Sequence, residues 1–112
     1  MQRIGDLQLF KAAFFRALGN PVRIRLLEEL GSQTRSVTEL QRVLGAPQPI
    51  ISQHLGILRS HHLVRAERRG GAVIYSLSDP LVLTLLATAR RIFEKRLAVQ
   101  TTMLRAVRRK AP

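Results

Sequence analysis

The stretch Val37-Thr-Glu-Leu-Gln-Arg-Val-Leu-Gly-Ala-Pro-Gln-Pro-Ile-Ile-Ser-Gln-His-Leu-Gly-Ile-Leu-Arg59 reads as two helices joined by a very short turn. In the first, Val37, Leu40, Val43 and Leu44 recur three or four residues apart and form one apolar stripe, with Glu39, Gln41 and Arg42 turned to solvent. Ser36 precedes the stripe and Glu39 follows three residues later, the spacing of a capping box. Gly45 closes the helix, because glycine takes a left-handed conformation without steric cost. Pro47-Gln48-Pro49 then opens a second helix, predicted from Pro47 to Ser60, since proline is tolerated in a first turn. Ile51, Leu55 and Leu58 point inward; Gln48, Ser52, Gln53 and His54 point away, near the N-terminal end.

This is the pattern of a helix-turn-helix whose second helix displays short or amide side chains able to bond base edges and phosphates. Two ordinary antiparallel helices of a small bundle would also carry polar residues outside, so the flanking sequence has to discriminate. Upstream, Ile4, Leu7, Phe10, Phe14 and Leu18 are helically spaced and predict a first helix from near Asp6. Gly19-Asn20-Pro21 ends it and starts a second, with Asn20 as cap, Val22, Leu26, Leu27 and Leu30 inward, and Arg23 and Arg25 outward. Gly31 to Ser36 reads as a polar loop. Downstream, residues 63–69 and 72–77 are short strand-like segments around Gly70-Gly71, a pair suited to the positive φ angles of a tight hairpin. Arg68 and Arg69 at its tip make it a wing placed to touch phosphates or the minor groove, or else a solvated turn.

Ser78-Asp79-Pro80 starts a last helix that should reach about Val107, with Arg105 to Lys110 as a frayed basic tail. Its stripe of Val82, Leu85, Leu86, Ala89, Ile92, Phe93, Leu97, Met103, Leu104 and Val107 exceeds what a small core consumes. The expected architecture is therefore mainly α with a small β-hairpin, α-α-α-α-β-β-α, a winged helix-turn-helix. One domain over 1–112 is expected, dimeric through the first and last helices, the latter covering about 79–107. Leu7, Phe10, Phe14, Leu85, Ala89, Ile92, Phe93 and Leu97 are the expected interface.

Composition narrows the function. The chain of 112 residues is 46% hydrophobic, as a folded domain is. Nineteen Lys+Arg against seven Asp+Glu leave a net charge of +12, which favours a polyanion such as nucleic acid. Only Phe10, Phe14, Phe15, Phe93 and Tyr75 are aromatic, too few for stacking on unpaired bases. The absence of cysteine excludes disulfides, thiolate metal sites and thiol switches. No secretory signal is visible and the apolar run 81–87 is too short for a bilayer, so a cytoplasmic protein without membrane partners is expected. An enzyme is the weakest reading, for there is no Gly-rich phosphate loop, no paired carboxylates and no nucleophile spaced with the histidines. No cofactor is expected.

Residues 15–27, Phe-Arg-Ala-Leu-Gly-Asn-Pro-Val-Arg-Ile-Arg-Leu-Leu, and residues 51–59, Ile-Ser-Gln-His-Leu-Gly-Ile-Leu-Arg, resemble signatures of the ArsR/SmtB family of bacterial winged-helix repressors. Leu63-Val-Arg, Arg68-Arg-Gly-Gly and Tyr75-Ser-Leu are similar to that family's wing, and the resemblance spans about Phe10 to Leu86. It implies a homodimer on an inverted-repeat operator, released by an effector. The duplex-facing set it implies is Gln48, Pro49, Ser52, Gln53, His54 and Arg59 on the helix, with Arg68, Arg69 and Gly70 in the wing.

The departures concern metal. Ser36 and Thr38 stand where arsenic-type members place two cysteines. Asp79 matches the first ligand of the zinc-type site, but Leu81, Ile92 and Lys95 occupy the others, and a lone carboxylate among them cannot hold a transition metal. Asp79 is better read as a helix cap, and His61-His62 as at most a weak, adventitious site. No metal ligand set is expected; the effector is a small molecule, or a partner protein does the sensing. The rivals to a sequence-specific regulator are a nonspecific architectural protein and a winged-helix protein-interaction module. Gln48, Ser52 and Gln53 argue against the first, where Lys or Arg would serve, and the basic wing against the second. Accordingly, stoichiometric Zn²⁺ or Ni²⁺ should leave affinity for duplex DNA unchanged. Tight metal binding that releases the duplex, read by calorimetry and fluorescence anisotropy, would show the opposite.

Overall fold

A computed structural model describes residues 3–110. The chain forms two compact units, residues up to Val82 and residues from Leu83 onward. The first holds α1 (Asp6–Leu18), α2 (Pro21–Ser32), β1 (Arg35–Ser36), α3 (Val37–Leu44), α4 (Gln48–Ser60), β2 (Val64–Arg69) and β3 (Ala72–Leu77). It also holds the first two residues of α5 (Leu81–Lys110), whose remainder is the second unit.

The boundaries follow from identifiable caps. Asn20 Oδ1 accepts from the backbone N–H groups of Val22 and Arg23 at 2.9 and 3.2 Å, with Pro21 behind it at the first helical position. Ser36 and Glu39 form the expected capping box: Glu39 N–H donates to Ser36 Oγ at 3.2 Å, and Ser36 N–H donates to Glu39 Oε1 at 3.1 Å. Gly45 ends α3 at φ 65°, a left-handed C-cap whose N–H reaches Gln41 O at 2.8 Å. Asp79 Oδ1 accepts from Leu81 N–H at 2.9 Å, the cap role read from sequence.

The core of the first unit is aliphatic. Leu26 and Leu27 from α2, Leu40 from α3, and Ile51, Leu55 and Leu58 from α4 are fully buried. Burial of each such side chain stabilises by about 1.5–3 kcal/mol relative to exposure. Helix α2 touches α3, α4 and β3, so it is the plate on which the helix-turn-helix rests.

Five expectations are corrected. The polar loop after α2 is partly structured: α2 continues through Ser32, and Arg35–Ser36 pair antiparallel with Tyr75 and Ile74 of β3, giving a three-stranded sheet in the order β1-β3-β2. Two residues carry no periodicity, so that strand exists only because β3 lies beside it. An ion pair joins this strand to α2, since Arg35 donates to Glu29 at 3.3 Å, both side chains being mostly buried, and Arg25 also pairs with Glu29. Val43, read as inward, is 39% exposed, while Glu39, read as solvated, is half-buried and turned to Ser36 in the cap. In α4, Pro47 is the N-cap rather than a helical residue. The tail read as frayed from Arg105 is helical through Lys110.

In the wing, β2 and β3 pair from Val64↔Leu77 to Arg69↔Ala72, and Gly70 and Gly71 turn the chain at φ 51° and 82°. Positive φ at both positions is what a two-residue hairpin turn with the right twist demands, as read from sequence. The second unit is helix alone, and along it Ile92, Phe93, Leu97, Val99, Met103, Leu104 and Val107 are 56–67% exposed.

The capping box sets a pH dependence. The backbone N–H of Ser36, and then its hydroxyl, hold the Glu39 carboxyl below its ordinary value of 4.5. A depressed carboxylate contributes stability that is present above the unfolded-state value and lost as pH falls through the folded one. Ser36→Ala is expected to cost about 1 kcal/mol at neutral pH. The difference between native protein and Glu39→Gln in denaturant titrations should shrink as pH drops below 4.5. A pH-independent difference would show that Glu39 does not act through its charge.

Candidate nucleic-acid interface

Helix α4 owes its exposed end to its own sequence. Ile51, Leu55 and Leu58 bind it to the core, so the opposite face, carrying Gln48, Pro49, Ser52 and Gln53, is left exposed. Pro47 caps the helix without a side-chain bond; its carbonyl accepts from Ile50 and Ile51 N–H at 3.1 and 3.2 Å. The Gln48 amide therefore opens a helix N-terminus that no side chain occupies, an arrangement suited to a phosphate oxygen. Gln48 and Gln53 each offer one acceptor and two donors, the set that pairs with adenine in a major groove.

Arg59 lies exposed in the last turn of α4. Together with His62, Arg65 and Ser78 it lines an open cavity of about 660 Å³ beside β2. Arg65 donates to Ser78 O at 3.3 Å. His61 and His62 are exposed in the turn after α4, and His62 takes φ 59°, the one left-handed non-glycine among the described residues. No group of three or more His, Cys, Asp or Glu suited to a metal ion is found among the described residues.

At the wing tip Arg68 and Gly70 are exposed, and Arg69 donates to Glu67 Oε2 at 3.1 Å with both side chains more than 60% exposed. An exposed pair of this kind is worth about 0–1 kcal/mol, so the guanidinium is readily transferred to a stronger anion.

The structure thus brings Gln48, Pro49, Ser52 and Gln53 together at one helix end and Arg68, Arg69 and Gly70 at one turn. His54 departs from its outward reading. Its ring is half-buried, and Nδ1 lies 3.2 Å from a terminal nitrogen of Arg23, which was also read as outward. Arg23 is half-buried as well, donating from Nε to Ala17 O at 2.6 Å and from its other terminal nitrogen to Arg16 O at 3.0 Å. Helical spacing could not reveal this, because the partners lie 31 residues apart. The sequence reading also missed Ile50, 39% exposed beside Pro49 and a candidate for contact with a thymine methyl. Its signal was present: Ile50 lies off the Ile51, Leu55, Leu58 stripe.

In the expected interface between copies, Leu7 and Phe10 are exposed on α1 at 59% and 73%, and Phe14 is half-buried, edge-on to Phe15 with ring centroids 5.6 Å apart. On α5, Leu85 and Ala89 are half-buried, while Ile92, Phe93 and Leu97 are exposed.

Known proteins match this geometry. A family model described as a helix-turn-helix domain covers residues 18–67, from the end of α1 into β2. The chain is 41% identical over 103 residues to the HTH-type transcriptional regulator Rv0081 of Mycobacterium tuberculosis, spanning 91% of this chain and 90% of that protein. The crystal structure of Rv0081 superposes with a TM-score of 0.80 over 88% of this chain and 99% of that one, at 40% identity. NolR from Sinorhizobium fredii superposes with a TM-score of 0.73 at 30% identity, over 83% of this chain and 97% of that one. A homodimeric winged helix-turn-helix DNA-binding domain from Mycobacterium bovis, described as a possible ArsR-family regulator, does so at 0.74 and 27% identity, over 87% and 94%. The helix-turn-helix carried on α2, the wing turned at Gly70-Gly71 and these relationships have one conclusion: the chain belongs to the ArsR/SmtB family of winged helix-turn-helix transcriptional regulators.

Proposed function

We propose that this protein represses transcription by binding an inverted-repeat operator as a homodimer, reading bases with α4 and gripping phosphates with the wing. The observation that carries this is the division of side chains between the two elements. The exposed end of α4 bears Gln48, Ser52 and Gln53, which are uncharged, whereas the wing bears Arg68 and Arg69. A protein held by charge alone would have cations at both. Amides discriminate through paired hydrogen bonds, each good pair worth about 1–3 kcal/mol against the wrong base. Arginine on phosphate contributes mainly through released counterions, equally for every sequence. The net charge of +12 raises the encounter rate with DNA.

The dimer rests on the apolar residues of α1 and α5. Among the described residues fifteen large hydrophobics are 39–74% exposed, thirteen of them on those helices or, as Ile4, just ahead of α1. So much apolar surface on a chain of 112 residues is characteristic of an interface. Two half-sites one helical turn or a multiple apart are the geometric counterpart of such a dimer. Release of the operator is assigned to a small molecule or a sensory partner protein.

Leu97→Glu is expected to shift the protein to monomers in sedimentation velocity; a native protein that is monomeric at micromolar concentration would overturn the dimer. For the DNA-facing residues, Arg69→Ala should weaken operator and random duplex together and lower the log–log salt slope by about one unit for each phosphate no longer neutralised in a half-site. Gln53→Ala should erode operator preference and leave the slope nearly unchanged. Titrations on both duplexes at several salt concentrations separate the roles. A wing variant that loses specificity at constant slope, or a helix variant that weakens both duplexes equally, would reverse the assignment.

A further inference from the structure

The Arg23–His54 contact lies outside the division of labour just described. Arginine is permanently protonated and has only donors, so a nitrogen that Arg23 approaches at 3.2 Å has to be an acceptor. His54 Nδ1 then carries a lone pair, and in the neutral ring the proton sits on Nε2. Arg23 is itself immobilised: with Nε on Ala17 O and its other terminal nitrogen on Arg16 O, it is clamped to the last turn of α1. Those carbonyls belong to a helix C-terminus, where a cation is favoured. His54 Nε2 makes no hydrogen bond among the described residues, and the residue is partly exposed. The imidazole sits one residue after Gln53 on α4, at the margin of the exposed face.

We propose that Arg23 is a positioning residue for DNA recognition: clamped on the end of α1, it fixes His54 in the Nε2–H tautomer, so that His54 presents a hydrogen-bond donor to an acceptor on the duplex. The inference rests on α4 being the helix that faces DNA, but its tautomer half stands without DNA. The ligand chemistry is an acceptor atom, either a phosphate oxygen or a purine N7, guanine O6 or thymine O4 at a base edge. An acceptor-presenting imidazole would select the opposite partners, so the clamp determines what His54 reads as well as where it lies.

The test begins with the full-length protein free of DNA, at a pH where the ring is neutral, using ¹⁵N spectra of the imidazole. His54 should show a bare Nδ1 and a protonated Nε2, and Arg23→Gln should release the ring into a mixture of tautomers. An identical tautomer population in both proteins would overturn the clamp. The second arm measures affinity for a duplex selected by the native protein from random sequence, and for unselected duplex. His54→Asn places an amide oxygen near the Nδ1 position, keeping an acceptor for Arg23 while deleting the Nε2 donor. It should lower affinity about threefold to tenfold, the worth of one hydrogen bond. Arg23→Gln should lose a similar factor, and the double variant no more than either alone. Losses that multiply would show that Arg23 and His54 act independently and would overturn the proposal. A loss confined to the selected duplex places the acceptor on a base, whereas an equal loss on both places it on a phosphate. Should Arg23→Gln fail to fold, Arg23→Lys keeps the charge but not the fork, and is expected to free the ring in the same spectra. If His54→Asn changes nothing while Gln53→Ala erodes preference, the donor role fails and the helix reading survives; if neither has any effect, that reading itself fails.

Discussion

Everything that α4 presents to solvent is set by the burial of Ile51, Leu55 and Leu58 against Leu26, Leu27 and Leu40. These side chains are wholly enclosed, and close-packed aliphatics transmit even the loss of a methylene as strain or cavity. Because they lie on one stripe of α4, the rotation of that helix about its own axis has no freedom. Gln48, Ser52 and Gln53 are exposed as a consequence, and Gly45, with its left-handed cap, ends α3 ahead of the turn into α4. Precision at the exposed face of α4 is therefore inherited from the core beneath it.

The wing is held differently. Its sheet has three strands only because two residues, Arg35 and Ser36, pair with β3. The pair between Arg35 and Glu29 ties that strand back to α2, with Arg35 Nε left buried and without a partner among the described residues. Removing one member of a buried pair leaves an uncompensated charge, which is costly. The same α2 thus supports the helix-turn-helix through aliphatic contact and the sheet through an ion pair. Ser36 serves the sheet and also caps α3, so one short segment joins the wing to the helix-turn-helix.

Charge is distributed according to what each element does. Three acidic groups in the first unit have structural duties: Glu29 holds two arginines, Glu39 closes a cap and Asp79 starts α5. Most basic groups at the surface have no such obligation, and where one does, as between Arg69 and Glu67, exposure keeps the bond weak. The cationic surplus is accordingly available to a polyanion. Arg23 is among those already committed, its guanidinium consumed by backbone carbonyls and an imidazole.

The helices, the hairpin and the exposed end of α4 were legible in the chain itself, because those features depend on local physics. Helical spacing marked Leu26, Leu40, Ile51 and Leu55 as core, Asn20, Ser36 and Asp79 could be recognised as caps, and Gly70-Gly71 as a turn with φ positive at both positions. Gln48, Ser52 and Gln53 were readable because they fall opposite the buried stripe. Features that arise only on packing involve partners distant in the chain. The strand at Arg35–Ser36 is too short for any pattern and is created by Tyr75 and Ile74. Arg23 and His54, both outward on their own helical wheels, meet because α2 and α4 pack side by side. A helical period records which way a side chain leaves its own axis, and it carries no information about what the neighbouring helix places there.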